Sequence, residues 1–213
     1  MKISLTNAGK RFHRNWIFRK LSYQFVSGHS YALTGPNGSG KSTLLQVIAG
    51  VLLLSEGDLR YEDPLQQEQF LLNRNQVTEE VHPFIALSAP YLELIEEYSA
   101  FEFLQFHQHF KPFLPDLSID AILAIVQLTD AAHRPLRHFS SGMKQRIKLA
   151  QAIFSQVPVV LLDEPCTNLD KAGIALYHKL VRDYTRDRLV IISSNDPVEY
   201  EHCEEELRMA DFA

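Results

Sequence analysis

Two cysteines in 213 residues are too few for a disulfide framework, and Cys166 and Cys203 stand in no metal-ligand spacing. That usage suits a reducing, cytosolic compartment. No apolar run approaches the ~20 residues of a spanning helix. The N-terminus lacks a charged-then-apolar-then-small leader, so export is not expected. Lysine and arginine number 21 against 26 acidic residues and are scattered along the chain, so no nucleic-acid partner is expected. Internal repeats and low-complexity tracts are absent as well. What remains is a chain long enough for a sizeable core, fitting one α/β domain with room for an inserted subdomain.

Against that background, Gly35-Pro36-Asn37-Gly38-Ser39-Gly40-Lys41-Ser42-Thr43 is the most informative stretch. It satisfies the phosphate-binding pattern GxxxxGK[ST], with an extra glycine and a second hydroxyl. The glycines let successive backbone N–H groups turn inward at phosphate oxygens. Lys41 supplies a compact charge for the outer phosphates, Ser42 a hydroxyl for Mg²⁺, and the following helix its positive end. Tyr31 to Thr34 reads as the strand entering the loop, and Leu44, Leu45, Val47 and Ile48 as the helix leaving it. An incidental glycine-rich turn would not need strand, loop and helix in that order. These residues predict binding of a nucleoside triphosphate.

Further on, the apolar run Val157 to Leu162 ends in Asp163-Glu164-Pro165. Such a run reads as a strand buried on both faces of a parallel sheet, with two carboxylates at the edge where ligands bind. Asp163 can hold Mg²⁺ and Glu164 can face the water that attacks the γ-phosphate; a general base contributes ~10²–10⁴-fold in rate. A solvated turn is the alternative, and the phosphate loop argues against it. Phe139-Ser140-Ser141-Gly142-Met143 precedes a helix and reads as a second anion-binding terminus or as an ordinary N-cap.

In this order, the phosphate loop, Ser-Ser-Gly with Lys144-Gln145-Arg146, Asp-Glu-Pro and Thr167-Asn168-Leu169-Asp170 resemble the ABC-type ATPases over nearly the whole chain. Within that family the match is to the nucleotide-binding subunits of ABC transporters. The resemblance implies a P-loop core with a mainly parallel sheet, an N-terminal antiparallel β subdomain and an inserted helical subdomain at about 91–138. It implies a single domain over 1–213 that hydrolyses ATP with Mg²⁺. It further implies a head-to-tail homodimer, or pairing with a related ATPase subunit. Ser140, Ser141 and Gly142 would then face the partner's γ-phosphate, and Asp170 would lie along the seam. Phe12 maps to the adenine-stacking aromatic, with Trp16 a second candidate and core packing open for either. The expected partner is a membrane permease, with this subunit peripheral on the cytoplasmic face.

Three positions depart from the family pattern. Met143 stands where glutamine is commoner in the signature. Ser88-Ala89-Pro90-Tyr91 occupies the glutamine loop without a glutamine. Asn195, after the strand Leu189 to Ile192, fills a switch position usually held by histidine, and an amide does not titrate near neutrality. A non-transport ABC ATPase and a weakly hydrolysing regulatory subunit are the rival readings. Pro90, Tyr91, Leu92 and Leu94 would either meet the permease or pack the subdomain. Ser99 and Glu102 form a capping-box pattern, Pro112 and Pro115 are expected to end that helix, and Asp120 to Leu128 predicts another. Glu204 to Glu206 reads as a solvated helix face, and His107 and His109 as a poor metal pair.

Overall fold

The computed structural model describes residues 1–63, 68–72 and 79–212. Two strands open the chain, Lys2–Phe12 (β1) and Asn15–Val26 (β2), followed by Ser30–Thr34 (β3) and the helix Lys41–Ile48 (α1). Glu56–Asp63 (β4), Glu68–Leu72 (β5) and Ile85–Ser88 (β6) come next. The helices Ala100–Gln108 (α2), Ile119–Ile125 (α3) and Ser141–Ile153 (α4) then lead into Val159–Asp163 (β7). Lys171–Tyr184 (α5), Leu189–Ser193 (β8), Pro197–Tyr200 (α6) and Glu205–Arg208 (β9) complete it.

These strands build two sheets. One is antiparallel and four-stranded in the order β2-β1-β4-β5; the other is parallel and five-stranded in the order β6-β7-β8-β3-β9. Every residue of β7 and β8 is buried, as expected of central strands covered on both faces. Alternation along each strand sends successive side chains to opposite faces. Val159, Leu161, Leu189 and Ile191 join α1 and the antiparallel sheet in one core. Val160, Leu162, Val190 and Ile192 join α2, α3, α4 and α5 in the other. The same alternation directs Asp163 and Ser193, paired in register, toward the α1 face.

Local chemistry sets the helix ends. Ser99 and Glu102 form a full capping box, Ser99 Oγ accepting from Glu102 N and Glu102 Oε2 accepting from Ser99 N at 2.8 Å. Such a cap is worth about 1 kcal/mol. α2 stops at Gln108, ahead of Pro112: the N–H groups of His109, Phe110 and Lys111 already turn back on Phe106 and His107. α3 ends at Ile125 rather than Leu128, because Gln127 takes a left-handed φ of 59°. β7 begins at Val159, since Pro158 has no N–H to offer a ladder.

The glutamate stretch requires a larger correction. Glu205 and Glu206 lie in a strand, β9, which pairs parallel with β3 at the sheet edge. Their carboxylates are engaged rather than merely solvated. Tyr23 Oη donates to Glu205 and Thr34 Oγ1 to Glu206, each at 2.6 Å, and Glu204 pairs with His29.

Candidate functional site

β8 lies between β3 and β7 in the parallel sheet, so three loops converge at its C-terminal edge. The phosphate loop follows β3, Asp163-Glu164 closes β7, and Ser194-Asn195 follows β8. Lys41 is 5 % exposed, and its ammonium donates to Gly35 O at 2.7 Å, Pro36 O at 3.3 Å and Asn195 Oδ1 at 2.9 Å. All three of its donors are therefore used within the chain. Burial lowers its pKa, while the charges of Glu164 and Asp163 act the other way. Asn195 Nδ2 in turn donates to Asn37 Oδ1. A pocket of about 360 Å³ is lined by Asn37, Gly38, Gly40, Lys41, Ser42, Thr43, Glu164 and Ile17.

The loop shape depends on its glycines. Gly40 sits at φ +95°, and a Cβ there would lie 2.6 Å from Ile17 Cγ2. Glu164 is also left-handed, at φ 44°, held by its N–H on Ser193 O at 2.8 Å. A non-glycine residue in that region carries strain of order 1 kcal/mol, which structures tolerate where function needs a side chain aimed.

Asp163 is 2 % exposed, and its Oδ1 is buried without a hydrogen-bond partner, as is Ser193 Oγ beside it. A buried orphan carboxylate oxygen is costly unless something fills its coordination. This oxygen and the Ser42 hydroxyl are hard donors of the kind Mg²⁺ prefers. The residues present fit that ion.

The second predicted cluster is separate. Ser140 caps α4, its Oγ accepting from Met143 N at 3.3 Å, while Ser141 begins the helix. Asp170 caps α5, its Oδ1 accepting from Gly173 N at 2.7 Å. A Cβ on Gly142 would lie 3.0 Å from Asn168 O, so the two loops pack as one surface. Ser140, Ser141, Gly142, Arg146, Asn168 and Asp170 line a pocket of about 340 Å³ that shares no residue with the phosphate-loop pocket.

Of the two aromatic candidates, Trp16 has Arg19 4.4 Å and Arg11 5.4 Å from its ring. Phe12 is 46 % exposed at the end of β1, with Lys10 over its ring at 5.0 Å. Pro90, Leu92 and Leu94 line a cleft of about 620 Å³ with Glu93, Lys144 and Lys148. Tyr91 does not join them; it is 45 % exposed. His107 bonds Ser155 Oγ and His109 its own helix, at Gln105 O.

Comparisons with known proteins point to one family. A family model described as ABC transporter matches residues 18–167. The Bacillus subtilis "Uncharacterized ABC transporter ATP-binding protein YybJ" is 29% identical, over 99% of this chain and 90% of its own. The Agrobacterium fabrum "Cytochrome c biogenesis ATP-binding export protein CcmA" is also 29% identical, over 100% of this chain and 97% of its own. Among solved structures, the dimeric ATP-binding cassette MJ0796, in a post-hydrolysis state bound to ADP and Pi, has a TM-score of 0.79 at 20% identity. That likeness spans 97% of this chain and 93% of the other. The chain belongs to the ABC transporter family, as one of its ATP-binding, ATP-hydrolysing subunits.

Proposed function

We propose that this ATPase binds MgATP in a head-to-tail dimer and drives a separate membrane permease from the cytoplasmic face. The observation that carries the reading is the convergence of Lys41 and Glu164 at one pocket on the sheet edge, with Asp163 close enough to act on the Lys41 charge. In it Lys41 exchanges the carbonyls of Gly35 and Pro36 for phosphate oxygens. Ser42 and Asp163 would hold Mg²⁺, which when bound offsets charge on the outer phosphates. Glu164 accepts the proton of the attacking water. Asn195, already on the Lys41 ammonium, donates its amide toward the γ-phosphate. Phe12 stacks on the base.

The separation of the Ser140–Gly142 pocket from the phosphate loop supports action in trans. Each signature would complete the partner subunit's site, with Asp170 at the seam. Among the described residues no helix is long and apolar enough to cross a membrane. The cleft lined by Pro90, Leu92 and Leu94 is the surface this reading gives to the permease.

Glu164→Gln should keep ATP binding, cut turnover at least about 10²-fold, and accumulate as an ATP-bound dimer in sedimentation. Turnover equal to wild type would refute the role of Glu164. A monomer at saturating ATP would refute the dimer.

A further inference from the structure

Pro165 and Cys166 follow Glu164, and the peptide group between them is gripped at both ends. Gln145 Nε2 donates to its carbonyl, Pro165 O, at 2.7 Å. Glu199 Oε1 accepts from its N–H, Cys166 N, at 2.9 Å. Gln145 is 4 % exposed and Glu199 6 %. A buried amide and a buried carboxylate are destabilising unless hydrogen-bonded, and here both meet one peptide.

A peptide unit is planar, so fixing its oxygen and its hydrogen fixes the plane itself. That sets ψ of Pro165, whose φ the pyrrolidine ring already restricts. Little torsional freedom is then left between the clamped peptide and Glu164. On the other side, the Glu164 N–H is anchored on Ser193 O at 2.8 Å, and Glu164 O accepts from Thr167 N at 3.1 Å. The left-handed φ of 44° at Glu164 persists because its neighbours over-determine it.

The two clamping side chains come from distant elements. Gln145 lies one turn after Ser141 on α4, and Glu199 stands on α6, four residues after Asn195. The backbone of Glu199 is held in turn by α5, where the Tyr177 hydroxyl donates to Glu199 O at 2.7 Å. The helix that begins at the signature serines and the segment that follows Asn195 thus meet on the peptide beside Glu164.

We propose that Gln145 and Glu199 are positioning residues for ATP hydrolysis: by clamping the Pro165–Cys166 peptide they hold the Glu164 carboxylate toward the attacking water. This inference rests on the reading of Glu164 as the group that accepts the water's proton. Neither clamping residue lines the phosphate-loop pocket. Their loss should therefore show in the chemical step and not in binding. A misplacement of ~1 Å can cost about 10²-fold in rate.

The test measures steady-state ATP hydrolysis by the full chain beside its affinity for a fluorescent, non-hydrolysable ATP analogue. Gln145→Leu and Glu199→Leu should each lower kcat about ten- to a hundredfold, with KM and analogue affinity at wild-type values. Glu199→Gln keeps an acceptor for the Cys166 N–H and should restore most of the rate. In the Glu164→Gln background neither Leu substitution should slow the residual turnover further, as for residues that act as a unit. If the Leu variants do not fold, Gln145→Asn, which stays polar but is too short to reach, carries the same expectation. A wild-type kcat in folded Gln145→Leu or Gln145→Asn would overturn the proposal. So would an equal loss of rate and analogue affinity, or a further fall in the Glu164→Gln background, since either marks general damage to the fold. Should Glu164→Gln alone turn over like the wild type, the base assignment fails first and the clamp loses its role with it.

Discussion

Lys41 has three acceptors within the chain, so in the proposed site phosphate oxygens would replace existing partners rather than meet an unpaired charge. Its ammonium is nearly buried, and the carboxylates of Asp163 and Glu164 help keep it protonated. Hydrogen bonds to charged groups are worth about 1.5–3 kcal/mol each. Lys41→Ala should therefore weaken ATP binding by about 2 kcal/mol, or about thirtyfold, in a fluorescence titration. Unchanged affinity would remove Lys41 from the phosphate site. Asn195 shares this economy of partners. It bridges Lys41 and Asn37, and so ties the loop after β8 to the phosphate loop in a way that no histidine pattern would have suggested.

At the scale of elements, the fold depends on helix ends being held against the sheet. Arg188, 9 % exposed, donates to Ser155 O at 3.0 Å, to Ile153 O at 2.6 Å and to Tyr184 O. One guanidinium thereby joins the C-terminal ends of α4 and α5, where cations also meet the helix dipole favourably. Burial lowers its pKa to about 10, which still leaves it charged at neutral pH. Arg188→Met would orphan several carbonyls at once, each costing about 1–3 kcal/mol. Urea unfolding should show a loss of about 3 kcal/mol. Arg188→Lys should recover only part of it, because a single ammonium cannot span the fork. The elements that sequence pattern named correctly, such as the capped α2, were those whose ends are decided by neighbours in the chain. β9 was missed because a run of glutamates carries no alternation, and only its pairing with β3 makes it a strand.

For the molecule as a whole, the two pockets bear on the proposed dimer. The signature face of Ser140, Ser141 and Gly142 is built on the same surface as Asp170 but apart from Lys41. Ser141 is exposed at the first turn of α4, so a bulky cation there should fold normally. In the Glu164→Gln background, Ser141→Arg should stay monomeric with ATP in analytical ultracentrifugation. Its monomer should keep wild-type affinity for the nucleotide, because no residue is shared between the pockets. A dimer of undiminished strength would place the subunit contact elsewhere.

The chain by itself determined everything that short-range backbone chemistry can encode. The glycine-lined turn before Lys41, the buried strand ending at Asp163 and the serine caps of α2 and α4 were all legible in residue types and spacing. Only the tertiary structure decided which side chains meet across the sheet edge. The strand order places β8 between β3 and β7, and that order sets Asn195 on Lys41. Such contacts depend on the arrangement of whole elements, and no local pattern records them.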